Sequence, residues 1–334
     1  MKLEKKQIQK IFLRYNLGNV LSYSKAERGV VNHNWVVTTD KGKFVLRGLT
    51  KFRRKRELLY EHQFLKKVSS RNIPYRLPFP CKIGRSTFLK YKGIYFWIYN
   101  FIEGTHISKL YIRDIKEIAK AMSIFHKKSN NIKITAWKNW PNAFQTEWLF
   151  KQYKKIRRQI INNSKKDNFG RYFLKNINTV ETILKTINPK GYYRLKRFPV
   201  HSDLTRGNLI FNKKRKLVGI IDFDSIRRET KIRDITQFII WECRPKKERY
   251  KLNYNRVKIF LKAYRKYNKL SNYELKFLLD IAISEFSDTF YWFYHVHYNY
   301  NDKKVKLRTI KIIYKSIIWY YENKGKIIKR LLEL

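Results

Sequence analysis

The pattern of apolar and polar positions begins with a helix and then changes to strands. Four apolar residues near the N-terminus recur at helical spacing: Ile8, Ile11, Phe12 and Tyr15. This spacing predicts an amphipathic helix that ends near Gly18, because residues three and four apart share one helix face. Two runs rich in β-branched and aromatic residues follow, at 35–39 and 44–47, with a polar turn containing Gly42 between them. The pair is typical of a β-hairpin.

The rest of the chain divides into a β-rich part and a mostly helical part. A helix is predicted over about 53–69, and strand-like runs follow near 87–91 and 94–98. Beyond Phe101 helical spacing dominates, interrupted by one short β-rich patch. The expected division is into a nucleotide-binding N-terminal lobe and a catalytic, acceptor-binding C-terminal lobe: residues 1–100 and 101–334.

The charge of the chain is strongly positive. It contains 76 Lys and Arg against 25 Asp and Glu, a formal net charge of +51. Such a field attracts polyanions, so contact with nucleic acid, an anionic membrane surface or an acidic partner is one interpretation. A general bias of composition towards Lys, Asn, Ile and Tyr is the other. The cations run through nearly every segment, so charge alone identifies no groove.

Cysteine content and hydropathy indicate the cellular compartment in which the protein is expected. The chain has two cysteines, Cys81 and Cys243, which are far apart and have no metal-binding spacing. This pattern argues against a disulfide framework and fits a reducing compartment. No secretory signal follows Met1, and no uncharged apolar run approaches 18 residues. We therefore expect a cytoplasmic protein without a transmembrane segment.

The residues that carry chemistry lie in the β-rich patch. A loop after Val200 places Asp203 and Asn208 five residues apart, and a polar turn and an apolar run then lead to Asp222 and Asp224. Acids that end an apolar strand are costly unless they bind a cation or accept hydrogen bonds. Carboxylate and amide oxygens suit Mg²⁺. Phosphoryl transfer needs such a set: Asp203 as base, Asn208 and Asp222 as metal ligands, and Asp224 as an assisting ligand.

The same residues resemble those of a known family. His-x-Asp-Leu-x-x-x-Asn from His201, followed by Ile-Asp-Phe-Asp, is similar to the catalytic and metal-binding loops of the aminoglycoside phosphotransferase superfamily. This group includes choline kinases, type II homoserine kinases and kinase-like spore-coat proteins. The resemblance implies an α+β, two-lobed protein-kinase-like fold that uses ATP and Mg²⁺. It also implies that Asp234 supports the catalytic loop, and that His126 and His201 are structural.

The resemblance extends to the nucleotide side of the cleft. No P-loop sequence is present. The resemblance implies roles for five residues in binding the nucleotide: Gly29 and Asn32 in a phosphate-covering turn, Arg47 in place of the commoner Lys, Glu61 as its acidic partner, and Phe101 in the hinge at 99–104. Adenine would bind backbone groups at this hinge.

The acceptor and two other functions stay open. Five aromatic residues either line an acceptor pocket or form a buried core: Phe286, Phe290, Trp292, Phe293 and Tyr294. With so few acids, the chain favours a neutral or anionic hydroxyl compound over a polycation. One alternative is a catalytically weak, kinase-like coat or scaffold protein with a basic surface. The other is a nucleic-acid-binding protein, whose binding would fall steeply with salt.

Overall fold

The structure is a computed structural model, and it describes most of the chain. The described ranges are 3–26, 33–49, 54–77, 80–135, 144–162, 167–300 and 305–334. They form two compact units, each assembled from separate parts of the sequence. The first consists of Met1–Lys109, Lys127–Asn139 and Arg206–Arg227, and the second of Leu110–His126, Trp140–Thr205 and Arg228–Leu334.

The first unit is built on an antiparallel sheet of five strands in the order β1-β2-β3-β5-β4. The opening helix precedes it, and the bounds of these elements are α1 Lys5–Arg14, β1 Val20–Lys25, β2 His33–Thr39, β3 Gly42–Gly48, α2 Lys55–Ser69, β4 Leu89–Tyr91 and β5 Ile94–Asn100. The predicted helix and hairpin are both present. Strand β1, which has one buried residue, gave no clear pattern because its other side chains are exposed.

The hairpin of β2 and β3 positions the nucleotide-side residues. Thr39 pairs with Gly42, so the turn has two central residues. With this register, the buried apolar residues of both strands lie on the same face of the sheet. That face packs against α1 in a core that shares the residues Ile8, Ile11, Phe12, Trp35, Val37, Phe44, Leu46, Phe96 and Ile98. The pairing also places Asn34 directly opposite Arg47.

A second hairpin in the first unit carries the predicted metal ligands. Its strands are β7 Leu209–Phe211 and β8 Leu217–Ile220, which pair antiparallel around a polar turn. Gly219 has its α-carbon close to Ile102, and a β-carbon there would lie 2.7 Å from Ile102 Cγ2. A glycine is therefore required at this contact.

The second unit is mainly helical. Its elements include most of α3 Ile112–Ser129, α4 Thr146–Ile161, α5 Asn168–Lys185, β6 Phe198–Val200, α6 Lys231–Glu242, α7 Tyr254–Arg265, α8 Asn272–Leu275, α9 Leu278–Tyr300, α10 Leu307–Glu322 and α11 Lys324–Leu332. The short strand β9 Arg227–Glu229 pairs with β6. Helix α9 packs against α4, α5, α6 and α10, and it is the central helix of this unit.

The aromatic stretch of α9 contributes mostly to this core. Phe286, Phe290 and Tyr294 are fully buried, whereas Trp292 is 46% exposed. Phe286, Phe290 and Tyr294 follow one another at intervals of four residues, so they share the buried face of the helix. Trp292 lies on another face. The core interpretation therefore holds for three of these residues.

Candidate functional site

The β7–β8 hairpin brings Asn208 and Asp222 to the same end of the first unit's second sheet. Leu209 pairs with Ile220, and the ladder continues with a hydrogen bond from the Ile221 N–H to the Asn208 carbonyl, 2.9 Å long. Asn208 ends a short 3₁₀ turn before β7, and Asp222 follows β8. Asn208 lies five residues after Asp203, and Asp222 follows an apolar strand. The hairpin thus brings the backbones of Asn208 and Asp222 side by side.

Asp222 has a strained backbone. Its φ and ψ of 64° and 63° lie in the left-handed region, which costs on the order of 1 kcal/mol for a residue with a β-carbon. The strain is maintained by the next residue, because Phe223 is fully buried and packs on Phe64 with ring centroids 5.9 Å apart. The conformation starts a short turn, 223–225, that carries Asp224 back towards the same side.

Arg47 joins the two acids. Its Nη2 lies 3.3 Å from Asp222 Oδ1 and 3.0 Å from Asp224 Oδ2. Its Nε donates to Asn34 Oδ1 across the β2–β3 pair, 3.0 Å away, which fixes the plane of the guanidinium. The Arg47 side chain is 8% exposed, and those of Asp222 and Asp224 are 41% and 14% exposed. The cluster is thus buried on the cation side and open on the Asp222 side.

The electrostatics of the cluster favour charged side chains. Burial by itself would lower the pKa of Arg47, but the carboxylates of Asp224, Asp222 and Glu61 outweigh it and raise that pKa. Glu61 is fully buried, and its Oε1 accepts a 2.5 Å hydrogen bond from the Tyr99 hydroxyl. Glu61 therefore adds to the negative charge around Arg47, and Asp222 and Asp224 form ion pairs with it.

A separate hydrogen-bond network in the second unit holds the loop that contains Asp203. The Asp234 carboxylate accepts the backbone N–H groups of His201 and Ser202, at 3.0 and 2.7 Å. Ser202 has a positive φ of 63°, so these bonds maintain a backbone conformation that would otherwise be unfavourable. Asp203 follows directly and is partly exposed. The predicted support of the loop by Asp234 is present.

His126 completes this network. Its Nε2 lies 2.9 Å from Asp234 Oδ2 and its Nδ1 lies 2.8 Å from the Tyr264 hydroxyl. The Asp234 carboxylate can only accept, so the His126 Nε2 carries the proton in this bond. Burial alone would raise the pKa of Asp234, but the hydrogen bonds from His126 and Ser202 hold it below its ordinary value. His126 is therefore a structural residue, as predicted.

The structure describes only some of the other residues predicted to bind the nucleotide. Gly29 and Asn32 lie outside the described residues. Phe101 is partly buried; its N–H donates to the Lys43 carbonyl at 3.1 Å, and the Lys43 ammonium lies 4.1 Å from its ring centroid. The roles of Asn34 and Tyr99 were not predicted. Their positions opposite Arg47 and near Glu61 depend on strand register, which a single sequence leaves open.

No helix within the described ranges is both long and apolar enough to cross a membrane.

Comparison with known proteins identifies the family of the chain. The phosphotransferase enzyme family, the aminoglycoside phosphotransferase group, matches residues 22–268. A homoserine kinase of Agrobacterium fabrum is 23% identical over 279 residues, covering 81% of this chain and 79% of that protein. A homoserine kinase of Bartonella tribocorum is 26% identical over 215 residues, 64% of this chain and 63% of that protein.

Solved structures have the same fold. A spectinomycin phosphotransferase in complex with ADP and spectinomycin has a TM-score of 0.68 at 14% identity, covering 98% of this chain and 100% of that one. A microcompartment-associated aminopropanol kinase has a TM-score of 0.67 at 13% identity, covering 97% and 98%. The family match spans well over half of the sequence, and the β-sheet and helical regions are those of kinase-like proteins. The chain therefore belongs to the phosphotransferase enzyme family and is a small-molecule kinase that acts on hydroxyl groups.

Proposed function

We propose that this kinase uses Mg·ATP as its phosphoryl donor and a hydroxylated amino acid or amino alcohol as its acceptor. The observation that supports the donor most directly is the cluster in which Arg47 Nη2 lies 3.3 and 3.0 Å from Asp222 and Asp224. The two carboxylates offer oxygen ligands to a metal ion, and the cation beside them offers a contact to phosphate.

The chemistry of the donor set fits Mg²⁺. Two carboxylates lie around one cation, and the backbone ladder brings the Asn208 amide to the same end of the hairpin. Asp222, Asp224 and Asn208 would hold the ion through oxygen atoms, and Asp222 is open enough to receive it. Bound there, Mg²⁺ would neutralise charge on the transferring phosphate.

The chain's own residues supply the rest of the reaction. Asp203 orients the acceptor hydroxyl and accepts its proton, while Asp234 fixes the backbone of the residues just before it. Arg47 presents its guanidinium to the phosphates, held in plane by Asn34. The backbone of the hinge at 99–104, which includes Phe101, would bind adenine, and the turn with Gly29 and Asn32 would cover the phosphates. Residues 1–100 would thus serve the nucleotide, and 101–334 catalysis and the acceptor.

The relatives support the acceptor class. Two of them are homoserine kinases and one is an aminopropanol kinase, so small amino compounds with a hydroxyl recur among them. The composition of this chain, with 25 acids against 76 bases, disfavours a polycationic aminoglycoside. A small zwitterion or a mono-amine carries less positive charge than an aminoglycoside, so the basic chain would repel it less.

The experiment that tests the donor is calorimetric titration of ATP, with and without Mg²⁺. Wild type and Asp222→Ala are compared, and Asp40→Ala is the control because that carboxylate lies at the β2–β3 turn. We expect metal-dependent binding in wild type and in the control, and a loss on the order of 100-fold in Asp222→Ala.

The result of this titration distinguishes a kinase from a kinase-like protein without activity. Binding that requires Mg²⁺ and Asp222 supports the kinase site and leads to acceptor screening by ADP release. Well-folded wild type that binds no ATP at millimolar concentration would overturn the donor assignment. It would favour the catalytically weak coat or scaffold protein.

A further inference from the structure

The end of α6 carries a partly buried arginine that makes no ion pair with an acid among the described residues. Arg244 follows the helix by two residues, and its guanidinium carbon lies 4.4 Å from the ring centroid of Trp241 and 5.1 Å from that of Phe286. Its Nε donates to the Ile240 carbonyl. Its Nη2 is buried and has no hydrogen-bond partner among the described residues. Two aromatic rings therefore surround a cation whose charge is not balanced by contact.

The two most deeply buried arginines in the described ranges have acidic partners. Arg47 pairs with Asp222 and Asp224, and Arg233 pairs with Glu285. Acidic neighbours raise the pKa of each of these arginines, although burial opposes them. For Arg244 burial dominates and lowers the pKa to about 10. A buried charge without a counter-ion is destabilising, so an arginine kept in this state indicates that an anion binds there.

A second polar group lies beside Arg244. The Tyr320 hydroxyl is buried with no hydrogen-bond partner within the described ranges, and its ring packs on Phe286 with centroids 5.2 Å apart. Arg244 acts on Tyr320 by lowering its pKa, against the larger effect of burial, which raises it. The pair offers N–H and O–H donors to one anion. Parts of Trp241 and Arg244 are exposed, whereas the Arg244 Nη2 and the Tyr320 hydroxyl are buried, so an anion reaches these two donors only when neighbouring side chains move.

The direction of the side chain links this group to the catalytic loop. Arg244 folds back along α6, because its Nε bonds to the carbonyl four residues earlier. Ile240 is six residues from Asp234, an offset of about 9 Å along the helix axis. Asp234 in turn holds the backbone next to Asp203. A short hydroxy acid with a hydrogen bond of about 2.8 Å at each end is comparable in length to this axial offset.

We propose that Arg244, with Tyr320, binds a carboxylate of the acceptor, so that this kinase phosphorylates hydroxy acids in preference to the same compounds without the carboxylate. The inference rests on the proposed function and specifies its acceptor. Stacking on Trp241 leaves the in-plane N–H groups of the guanidinium for a planar, bidentate anion.

Matched pairs of acceptors test the proposal. L-homoserine differs from 3-aminopropan-1-ol by the carboxylate alone, and L-serine differs from 2-aminoethanol in the same way. ADP release is measured with both pairs for wild type, Arg244→Met and Arg249→Met. Arg249 is exposed and five residues away, so its variant removes the same side chain and the same charge. We expect wild type and Arg249→Met to favour the carboxylate by tenfold or more in kcat/KM, on the order of one charged hydrogen bond, and Arg244→Met to lose that preference.

Binding is measured as well, because it does not require turnover. Titration of 2-aminobutyrate, which is homoserine without its hydroxyl, should give binding to wild type that Arg244→Met lacks. Equal use of both members of each pair by wild type, or a preference that survives in Arg244→Met, would overturn the proposal. If Mg·ATP binds but neither carboxylate acceptor is used or bound, the carboxylate site is wrong while the donor site stands. If Mg·ATP does not bind, the proposed function itself has failed.

Discussion

At the scale of single residues, the central feature is one guanidinium that neutralises the predicted metal ligands. Arg47 contacts Asp222 and Asp224, the carboxylates that we propose as Mg²⁺ ligands. A metal ion that binds these carboxylates would therefore compete with the arginine. Nucleotide phosphates, which attract both cations, would relieve this competition.

Arg47→Met should uncouple metal binding from nucleotide binding. Without the arginine, Asp222 and Asp224 repel each other, and we expect the free energy of unfolding to fall by about 3 kcal/mol. Mn²⁺ added without nucleotide should bind the variant on the order of tenfold more tightly than wild type and restore its stability. ATP affinity should fall. Calorimetry with Mn²⁺ alone and thermal unfolding with Mn²⁺ provide the measurements.

Lys41→Met is the control for Arg47→Met. Lys41 lies in the exposed β2–β3 turn, and its loss changes the net charge by the same amount. The competition would be disproved if metal alone bound wild type and Arg47→Met equally. It would also be disproved if Lys41→Met gained metal affinity.

Asp234→Asn should weaken both the loop and the fold. An amide in place of the carboxylate directs an NH₂ group at an N–H donor, so we expect about 2–4 kcal/mol lower stability and a fall in kcat at nearly constant ATP affinity. Because the folded state lowers the pKa of Asp234, its stabilisation is present at neutral pH and lost as pH falls through that lowered pKa.

The pH dependence provides the check. Urea unfolding of wild type and Asp234→Asn is measured from about pH 7 to about pH 3, and the difference in stability should shrink as the wild-type carboxylate becomes protonated. A difference that is constant over this range would contradict the role of the charge.

At the scale of elements, a glycine after β5 allows close packing on the β7–β8 hairpin. Gly104 has a φ of +143°, and a β-carbon there would lie 2.5 Å from Ile210 Cγ2 and 2.7 Å from the Phe211 carbonyl oxygen. The neighbouring Thr105 exchanges backbone hydrogen bonds with Phe211 at 2.8 and 2.9 Å. A side chain at 104 would therefore separate the hairpin from this connection.

Gly104→Ala should cost more stability than Gly93→Ala. Gly93 also has a positive φ, +81°, but an added β-carbon meets no described atom within 4 Å. We expect about 1 kcal/mol from backbone strain at Gly93 and about 2 kcal/mol more at Gly104 from the steric contact. Urea unfolding of both variants measures the difference, and equal losses would show that the hairpin shifts freely.

At the scale of the whole molecule, the most unusual property is the formal net charge of +51. Contact with a polyanion stays a prediction, and neither the family match nor the relatives support it. The most concentrated cations that we find on one helix face are on α4, where four exposed residues share one stripe: Lys151, Lys154, Lys155 and Arg158. The cytoplasmic location also stays a prediction.

Self-repulsion of this charge should make stability depend on salt. Because screening weakens like-charge repulsion in the compact state, we expect the melting temperature to rise between about 0.02 and about 0.3 M NaCl. Sucrose at equal osmolality is the control, since it does not screen charge. A melting temperature that is unchanged or lower in salt would show that the repulsion is already balanced within the fold.

The sequence by itself determined much of the secondary structure and the motif that indicates the family. The α1 helix, the β2–β3 hairpin and the hairpin between Asn208 and Asp222 follow from local periodicity and turn residues, which act over a few positions. The order of Asp203, Asn208 and Asp222 around that hairpin identified the family, because the motif is continuous in the chain. Strand β1 was missed because its exposed side chains do not alternate.

Only the tertiary structure decided the partners of the charged residues. Arg47 is paired with acids that lie 175 and 177 residues away in the sequence. Glu61 is much nearer to Arg47 in the sequence, and its carboxylate accepts a hydrogen bond from Tyr99. The absence of an acidic partner at Arg244 among the described residues is equally invisible in the sequence. The physical reason is that ion pairs form within about 4 Å, and periodicity carries no information on which distant segments approach so closely.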